Sequence, residues 1–202
     1  MTTANPRTAL LDLLARTSFR LGNFTLSSGA KSDYYIDCRT TTLHAEGARL
    51  TGLSILDLLR EHNLHPVAVG GLTMGADPVV SAVSIASAWH AQQDANAPLI
   101  HGFLVRKAEK THGTGRRIEG FLEKDAPVLI VDDVCTTGAS TITAIEAARE
   151  AGMKVIAAVC LVEREEAGGR AALEAACQPA PFLRLFTAND VRAAHIRQLP
   201  PA

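Results

Sequence analysis

A mostly parallel α/β sheet, covered by helices on both faces, is the architecture this sequence predicts. Three observations carry that reading. From residue 66 onward, short apolar runs alternate with helix-periodic segments, the order that βαβ crossovers impose. Two of the runs, Val128-Leu-Ile-Val131 and Val155-Ile-Ala-Ala-Val-Cys-Leu-Val162, are apolar throughout, as strands buried on both sides are. The residues with chemistry to offer, Gly70-Gly71, Arg106-Lys107 and Asp132-Asp133, all fall where such strands end. Parallel sheets bind ligands beyond the carboxyl ends of their strands.

The elements follow in order. Leu10, Leu11, Leu13 and Leu14 share the apolar side of a helix over 6–17. The next stretch, GNFTLSSGAKSDYYIDCR, is punctuated by Gly22, Gly29 and Asp33 and reads as short strand-like pieces. Leucines at 50, 53, 56 and 59 predict a helix over 44–62. PVAVGG (66–71) is a short buried strand, and 76–90 a helix that tolerates Pro78 in its first turn. Strands are expected at 99–106, 128–131 and 155–162, with helices at 141–152, closed by Gly152, and at 169–177. FLRLF is a last strand, and Thr187-Ala-Asn-Asp190 has the layout of a capping box for a final helix.

Composition narrows the function classes. The 202 residues are 47% apolar and 20% charged, which fits one globular domain rather than a disordered chain. A net charge of −1 argues against a nucleic-acid or membrane-surface binder. No apolar run approaches the length of about 18 residues that a membrane span needs, and residues 1–17 lack a signal peptide's layout. The four cysteines, Cys38, Cys135, Cys160 and Cys177, form no CxxC pair, so they read as reduced thiols of a cytoplasmic protein.

The most informative stretch is VLIVDDVCTTGAS (128–140). A strand ends, small residues follow, and a helix begins, so free amides and the helix dipole can hold a phosphate. Gly138 permits close backbone approach, and Thr136, Thr137 and Ser140 add hydroxyls. Neither a Walker lysine pattern nor GxGxxG is present. Carboxylates repel phosphate oxygens, but they accept from vicinal hydroxyls or attract hydrated Mg²⁺. A phosphate on the loop with hydroxyls on Asp132 and Asp133 describes a ribose 5-phosphate.

This stretch resembles the phosphoribosyl-diphosphate (PRPP) signature of type I phosphoribosyltransferases. FTLSSGAKSDYYID (24–37) and RKAEKTHGTGRRIEG (106–120) are similar to the hood motif and the mobile basic loop of orotate phosphoribosyltransferases. The resemblance runs from about residue 20 to 166. It implies the type I phosphoribosyltransferase fold, one domain over 1–202, and a small hood over the base site drawn from about residues 1–45. It also implies transfer of the phosphoribosyl group from PRPP to orotate, with Mg²⁺ as cofactor and orotidine 5′-monophosphate and pyrophosphate as products.

Residue roles follow from the same resemblance. PRPP would be held by Arg106, Lys107, Lys110, His112 and the segment Asp132, Asp133, Val134, Cys135, Thr136, Thr137, Gly138, Ala139 and Ser140. Lys110 would be the main catalytic lysine, beside Asp132 and Asp133. Orotate would meet Tyr35, Ile36, Thr136 and Arg164. Mg²⁺ would be bound mainly through PRPP, near Asp133, with no protein cage. The loop 106–117, five cations against one acid, would be shared across a homodimer interface.

On the residues alone, Arg164 either holds a carboxylate bidentately or pairs with Glu163 or Glu166 at the surface. Four positions depart from the enterobacterial-type pattern, one being Glu163, which precedes Arg164 in place of an aspartate. Ser27 stands where a lysine precedes the hood glycine, and Thr73-Met74 where a Tyr-Lys pair is usual. Lys31 is a candidate replacement for one missing cation. Ser28-Gly-Ala-Lys31 also matches an SxxK motif, but no KTG accompanies it. A transferase for another base, or a nucleotide-sensing regulator built on the same fold, would share the PRPP stretch. The first should lack the hood and basic-loop motifs, and the second should carry an added DNA-binding segment.

Overall fold

A computed structural model describes residues 5–25, 29, 31–107 and 117–200. Within them the chain runs α1 (Pro6–Thr17), β1 (Phe19–Thr25), β2 (Lys31–Ile36), α2 (Arg39–Thr42), α3 (Ala45–Glu61), β3 (Ala68–Leu72), α4 (Asp77–Gln93) and β4 (His101–Val105). It continues through β5 (Ile118–Gly120), β6 (Pro127–Cys135), α5 (Ala139–Glu150), β7 (Lys154–Glu163), α6 (Arg170–Cys177), β8 (Phe182–Thr187) and α7 (Ala188–Gln198). A single 3-10 turn, Glu165–Ala167, follows β7.

Six strands form the central sheet in the order β5-β4-β3-β6-β7-β8. Every pair is parallel except β4 with β5. The side-chain period of two in β6 divides the core. Leu129 and Val131 face a cluster with Leu14 of α1, Ile55 of α3, Val79 and Val83 of α4, and Val191 of α7. Val128 and Ile130 face the opposite cluster, with Ala144 and Ile145 of α5 and Leu173 of α6. Helices therefore cover both faces, as the continuous apolar runs require.

From β3 the chain moves outward to β4, whereas from β6 it moves the other way through β7 to β8. The neighbours β3 and β6 thus mark the topological switch point, where the loops beyond their carboxyl ends diverge and leave a crevice.

Three features differ from the sequence reading. The strand expected at 128–131 extends to Cys135, so both acids lie in extended backbone rather than beyond it. Paired edges explain this, because β7 keeps contact with β6 as far as Cys135↔Glu163. The three-residue β5 and the single-turn α2 have no periodic signal, being too short to show one. The punctuated stretch after α1 is one antiparallel hairpin, β1–β2, with an irregular register between Leu21 and Phe24.

Candidate active site

Because β6 is extended at Asp132 and Asp133, consecutive side chains leave opposite faces of the strand. Asp132 is buried, and its Oδ2 accepts from the Thr141 hydroxyl of α5 at 2.9 Å. Asp133 lies on the other side, against the loop after β3: a Cβ added at Gly75 would sit 2.5 Å from its Oδ1. Only glycine leaves room for the carboxylate there. Burial raises the pKa of both acids. Asp132 is pushed up to about 7, burial being the main cause and the Asp133 charge the next. At Asp133, Asp37 adds to the rise, and the nearby Arg39 opposes it.

Beyond the acids, Cys135 turns its side chain into the core, while Thr136 and Thr137 are exposed. Gly138 then caps α5 in the left-handed region, at φ +79°, where a side chain would be strained. Asn5, His44 and Thr187 cap α1, α3 and α7 with side-chain hydrogen bonds, whereas no side chain caps α5, nor α2, α4 or α6. The first-turn amides of α5 are therefore available to an anion. All four cysteines are free and buried. The neighbouring Cys160 thiol draws the Cys135 pKa down, but burial closes its sulfur off from reagents.

A cleft of about 560 Å³ brings these parts together. Its walls include Asp132, Asp133, Val134, Thr136 and Ser140 from the β6–α5 region, Thr73 to Gly75 from the loop after β3, and Lys107. Tyr35, Thr136 and Arg164 line both this cleft and a neighbouring one that reaches under the β1–β2 hairpin. Tyr35 is half exposed and tilts against Phe24, with ring centroids 5.5 Å apart. Ile36 is buried, packing into the core while bordering the cleft.

Arg164 sits at the end of β7 and is held from several sides. Its Cζ lies 4.6 Å from the centroid of the Tyr34 ring. Its Nε donates to the Tyr34 hydroxyl at 2.9 Å and to Glu166 Oε1 at 3.1 Å. Its Nη2 is 3.0 Å from Glu166 Oε1 and 3.3 Å from the Ser32 hydroxyl. Tyr34 in turn donates a short hydrogen bond to Glu166. Of the two ion pairs open to Arg164 in the sequence, the one with Glu166 forms. Glu163 is buried instead between Arg170 and Arg184. Tyr34 and Ser32 are functional neighbours that the sequence does not single out; the available signal is the SDYY tetrapeptide.

The basic loop rises from an antiparallel stem. Arg106 N donates to Arg117 O at 2.9 Å, and the Arg106 side chain pairs with Glu119 at 3.2 Å rather than lining the cleft. Lys110 and His112 lie outside the described residues, as does Ser27. Lys31 bonds the Thr25 hydroxyl at 2.8 Å within the hairpin. Arg39, paired with Asp37 at 2.8 Å, borders the cleft beside Met74.

The comparisons with known proteins bear on this geometry. A model of the phosphoribosyl transferase domain matches residues 54–172. The orotate phosphoribosyltransferase of Thermosynechococcus vestitus is 44% identical over 191 residues, covering 94% of this chain and 95% of its own. The chain belongs to the orotate phosphoribosyltransferase family. The Aquifex aeolicus family member is 39% identical and covers 92% of this chain and 97% of its own. Among solved structures, the Mycobacterium tuberculosis orotate phosphoribosyltransferase with Fe(III) dicitrate gives a TM-score of 0.77 at 35% identity, covering 92% of this chain and 98% of its own. The same enzyme in complex with PRPP gives 0.72 at 32%, covering 93% and 99%. The type I phosphoribosyltransferase fold read from the PRPP stretch is the fold observed.

Proposed function

We propose that this chain transfers the 5-phosphoribosyl group from PRPP to orotate, giving orotidine 5′-monophosphate and pyrophosphate in the synthesis of UMP. One observation carries the reading. The uncapped N-terminus of α5 opens beside Asp132 and Asp133, and Arg164 stands on the same cleft. A phosphate acceptor, two hydroxyl acceptors and a carboxylate donor therefore share one space, and the named relatives have this activity.

The amides from Thr136 to Ser140 hold the 5-phosphate. Asp132 and Asp133 accept from the ribose hydroxyls and stabilise positive charge as it develops on the ring. The base nitrogen of orotate attacks the anomeric carbon from the face opposite the leaving pyrophosphate, with no covalent enzyme intermediate. Lys107, Lys110 and His112 neutralise the pyrophosphate, and closure of loop 106–117 keeps water out. Arg106 joins them by exchanging Glu119 for phosphate. Arg164 takes the orotate carboxylate, with Tyr35, Ile36 and Thr136 around the base.

Bound with PRPP, Mg²⁺ would supply charge neutralisation for the leaving pyrophosphate. Asp133 and Asp37 could accept from its waters without a dedicated cage. Among the described residues no group of three or more His, Cys, Asp or Glu could hold a metal ion.

Residues 1–45 would supply the hood through the β1–β2 hairpin, within one domain over 1–202. A homodimer would share loop 106–117. In its favour, Leu43 and Met74 stand 73% and 71% exposed at one hollow with Pro78. Ile85 and Trp89 continue an apolar stripe along α4, more than scattered surface residues need. Cytoplasmic residence is supported by four unpaired thiols. Among the described residues no helix is long and apolar enough to cross a membrane.

The deciding experiment is the loss of orotate absorbance on adding PRPP and Mg²⁺, with uracil, hypoxanthine and adenine alongside. Turnover of orotate alone is expected. Turnover of another base would keep the PRPP site and overturn the assignment of Arg164 and the hood.

A further inference from the structure

The orotate reading gives Arg164 a task but does not say what aims it. A guanidinium has two edges that can grip a carboxylate, one made by Nε and Nη2 and the other by Nη1 and Nη2. In this structure the Nε side is occupied: Tyr34 Oη, Glu166 Oε1 and Ser32 Oγ all accept from Nε or Nη2. The Tyr34 ring lies beneath Cζ, with its centroid 4.6 Å away. Nη1 makes no hydrogen bond to a described residue. The side chain of Arg164 is only 8% exposed, so what exposure remains is toward the clefts it lines.

Resting on that reading, we propose that Tyr34 is the positioning residue of the base site: by holding its ring against Arg164 and bridging it to Glu166, the hairpin tyrosine presents the Nη1 edge to the carboxylate of the incoming base. The phenol does this as donor and acceptor at once. It donates to Glu166 and accepts from Arg164 Nε, an arrangement that neither phenylalanine nor a phenolate can make. Burial and the Glu166 hydrogen bond hold the Tyr34 pKa up at about 12, so the proton stays on the oxygen throughout the working range. The ring is itself fixed from behind, stacked on Phe19 with centroids 5.2 Å apart. Phe19 begins β1 and is buried in the core shared by α1, α3 and α7. The chain of contacts thus runs from the core through Phe19 and Tyr34 to Arg164, and ends at the ligand. Recognition of a carboxylated pyrimidine is therefore referred to the first third of the sequence rather than to the loop that carries Arg164.

The test is steady-state kinetics on Tyr34→Phe, with Arg164→Ala as the reference and inhibition by uracil, which lacks the carboxylate, as the control ligand. Tyr34→Phe keeps the ring and removes the hydroxyl. The orotate KM should rise about tenfold, with kcat and the PRPP KM within about twofold, the pattern of lost uniform binding. The inhibition constant of uracil should not move. Glu166→Gln, which keeps an acceptor for the phenol, should restore most of the affinity that Glu166→Ala loses. A general structural role for Tyr34 would weaken PRPP, uracil and orotate alike and lower the urea midpoint. That outcome overturns the proposal, as does an unchanged orotate KM in Tyr34→Phe while Arg164→Ala raises it. An unchanged orotate KM in Arg164→Ala overturns the base-site assignment itself, and the positioning role with it.

Discussion

The Cζ of Arg164 stands over the ring of Tyr34, 130 positions earlier in the chain, and its Nε donates to that residue's hydroxyl at 2.9 Å. Lysine cannot reproduce this, because a point charge neither stacks nor forks. Arg164→Lys should therefore raise the orotate KM about 10- to 100-fold, the range expected for losing a hydrogen bond to a charged group. The PRPP KM should stay put. Initial-rate kinetics with each substrate varied in turn makes the comparison.

Lys110 is assigned to the departing pyrophosphate. Removing one well-placed transition-state donor costs on the order of 10²–10³ in rate, so Lys110→Ala should lose that much kcat. Its thermal midpoint should match the parent's. An unimpaired kcat would remove Lys110 from the mechanism.

Asp132 carries a stability penalty for the sake of its site. Its folded pKa lies near 7 against an ordinary 3.8, because burial and the neighbouring Asp133 disfavour its charge. The folded state thus holds more protons than the unfolded one between those values, and stability falls as pH rises through the window. Asp132→Asn removes the penalty. At pH 8 it should be more stable by about 1–4 kcal/mol, with a smaller gain at pH 4, while activity collapses. Urea unfolding at the two pH values, read against the parent, gives the answer.

Glu163 behaves in the opposite sense. Burial alone would raise its pKa, but the hydrogen bonds from Arg170 and Arg184 outweigh burial and hold it below the usual carboxylate range. Its contribution is present at neutral pH and is lost as pH falls through the folded value. Glu163→Gln should cost about 1–3 kcal/mol at pH 7, and the gap from the parent should narrow on acidification.

Gly75→Ala offers a way to move one carboxylate without touching it. The new Cβ would stand 2.5 Å from Asp133 Oδ1, so the side chain must swing away. A rise in PRPP KM with little loss of stability is expected, since Asp133 is partly exposed and can find water. Equilibrium PRPP binding and a melting curve together separate this from misfolding.

Much of this was legible in the residues. The runs at 128–131 and 155–162 announce buried strands because parallel sheets need apolar side chains on both faces, and the Thr187–Asp190 box forms as written. The strand, small-residue loop and helix start over 128–140 were readable because small residues and a glycine mark the opening of a helix. What escaped depends on distance in space. Nothing local in SDYY says that Tyr34, rather than Tyr35, meets an arginine from the far end of β7. Nor could periodicity find β5, whose three residues are too few to show a repeat and are recognised only by their pairing with β4. The pairing of Arg164 with Glu166 rather than Glu163 follows from the end of the strand: Glu163 is its last residue and turns inward, while Glu166 lies in the turn beyond.

The alternation of Asp132 and Asp133 across β6 has a consequence for how the molecule tolerates change. One carboxylate answers to α5, and the other to the loop after β3 on the far side of the sheet. A ligand that touches both meets side chains rooted on the pleat of a single strand, whose Cα spacing is fixed by covalent geometry. Either helical layer can settle differently as its surface substitutions accumulate, and the roots of the two acids will not drift apart with it.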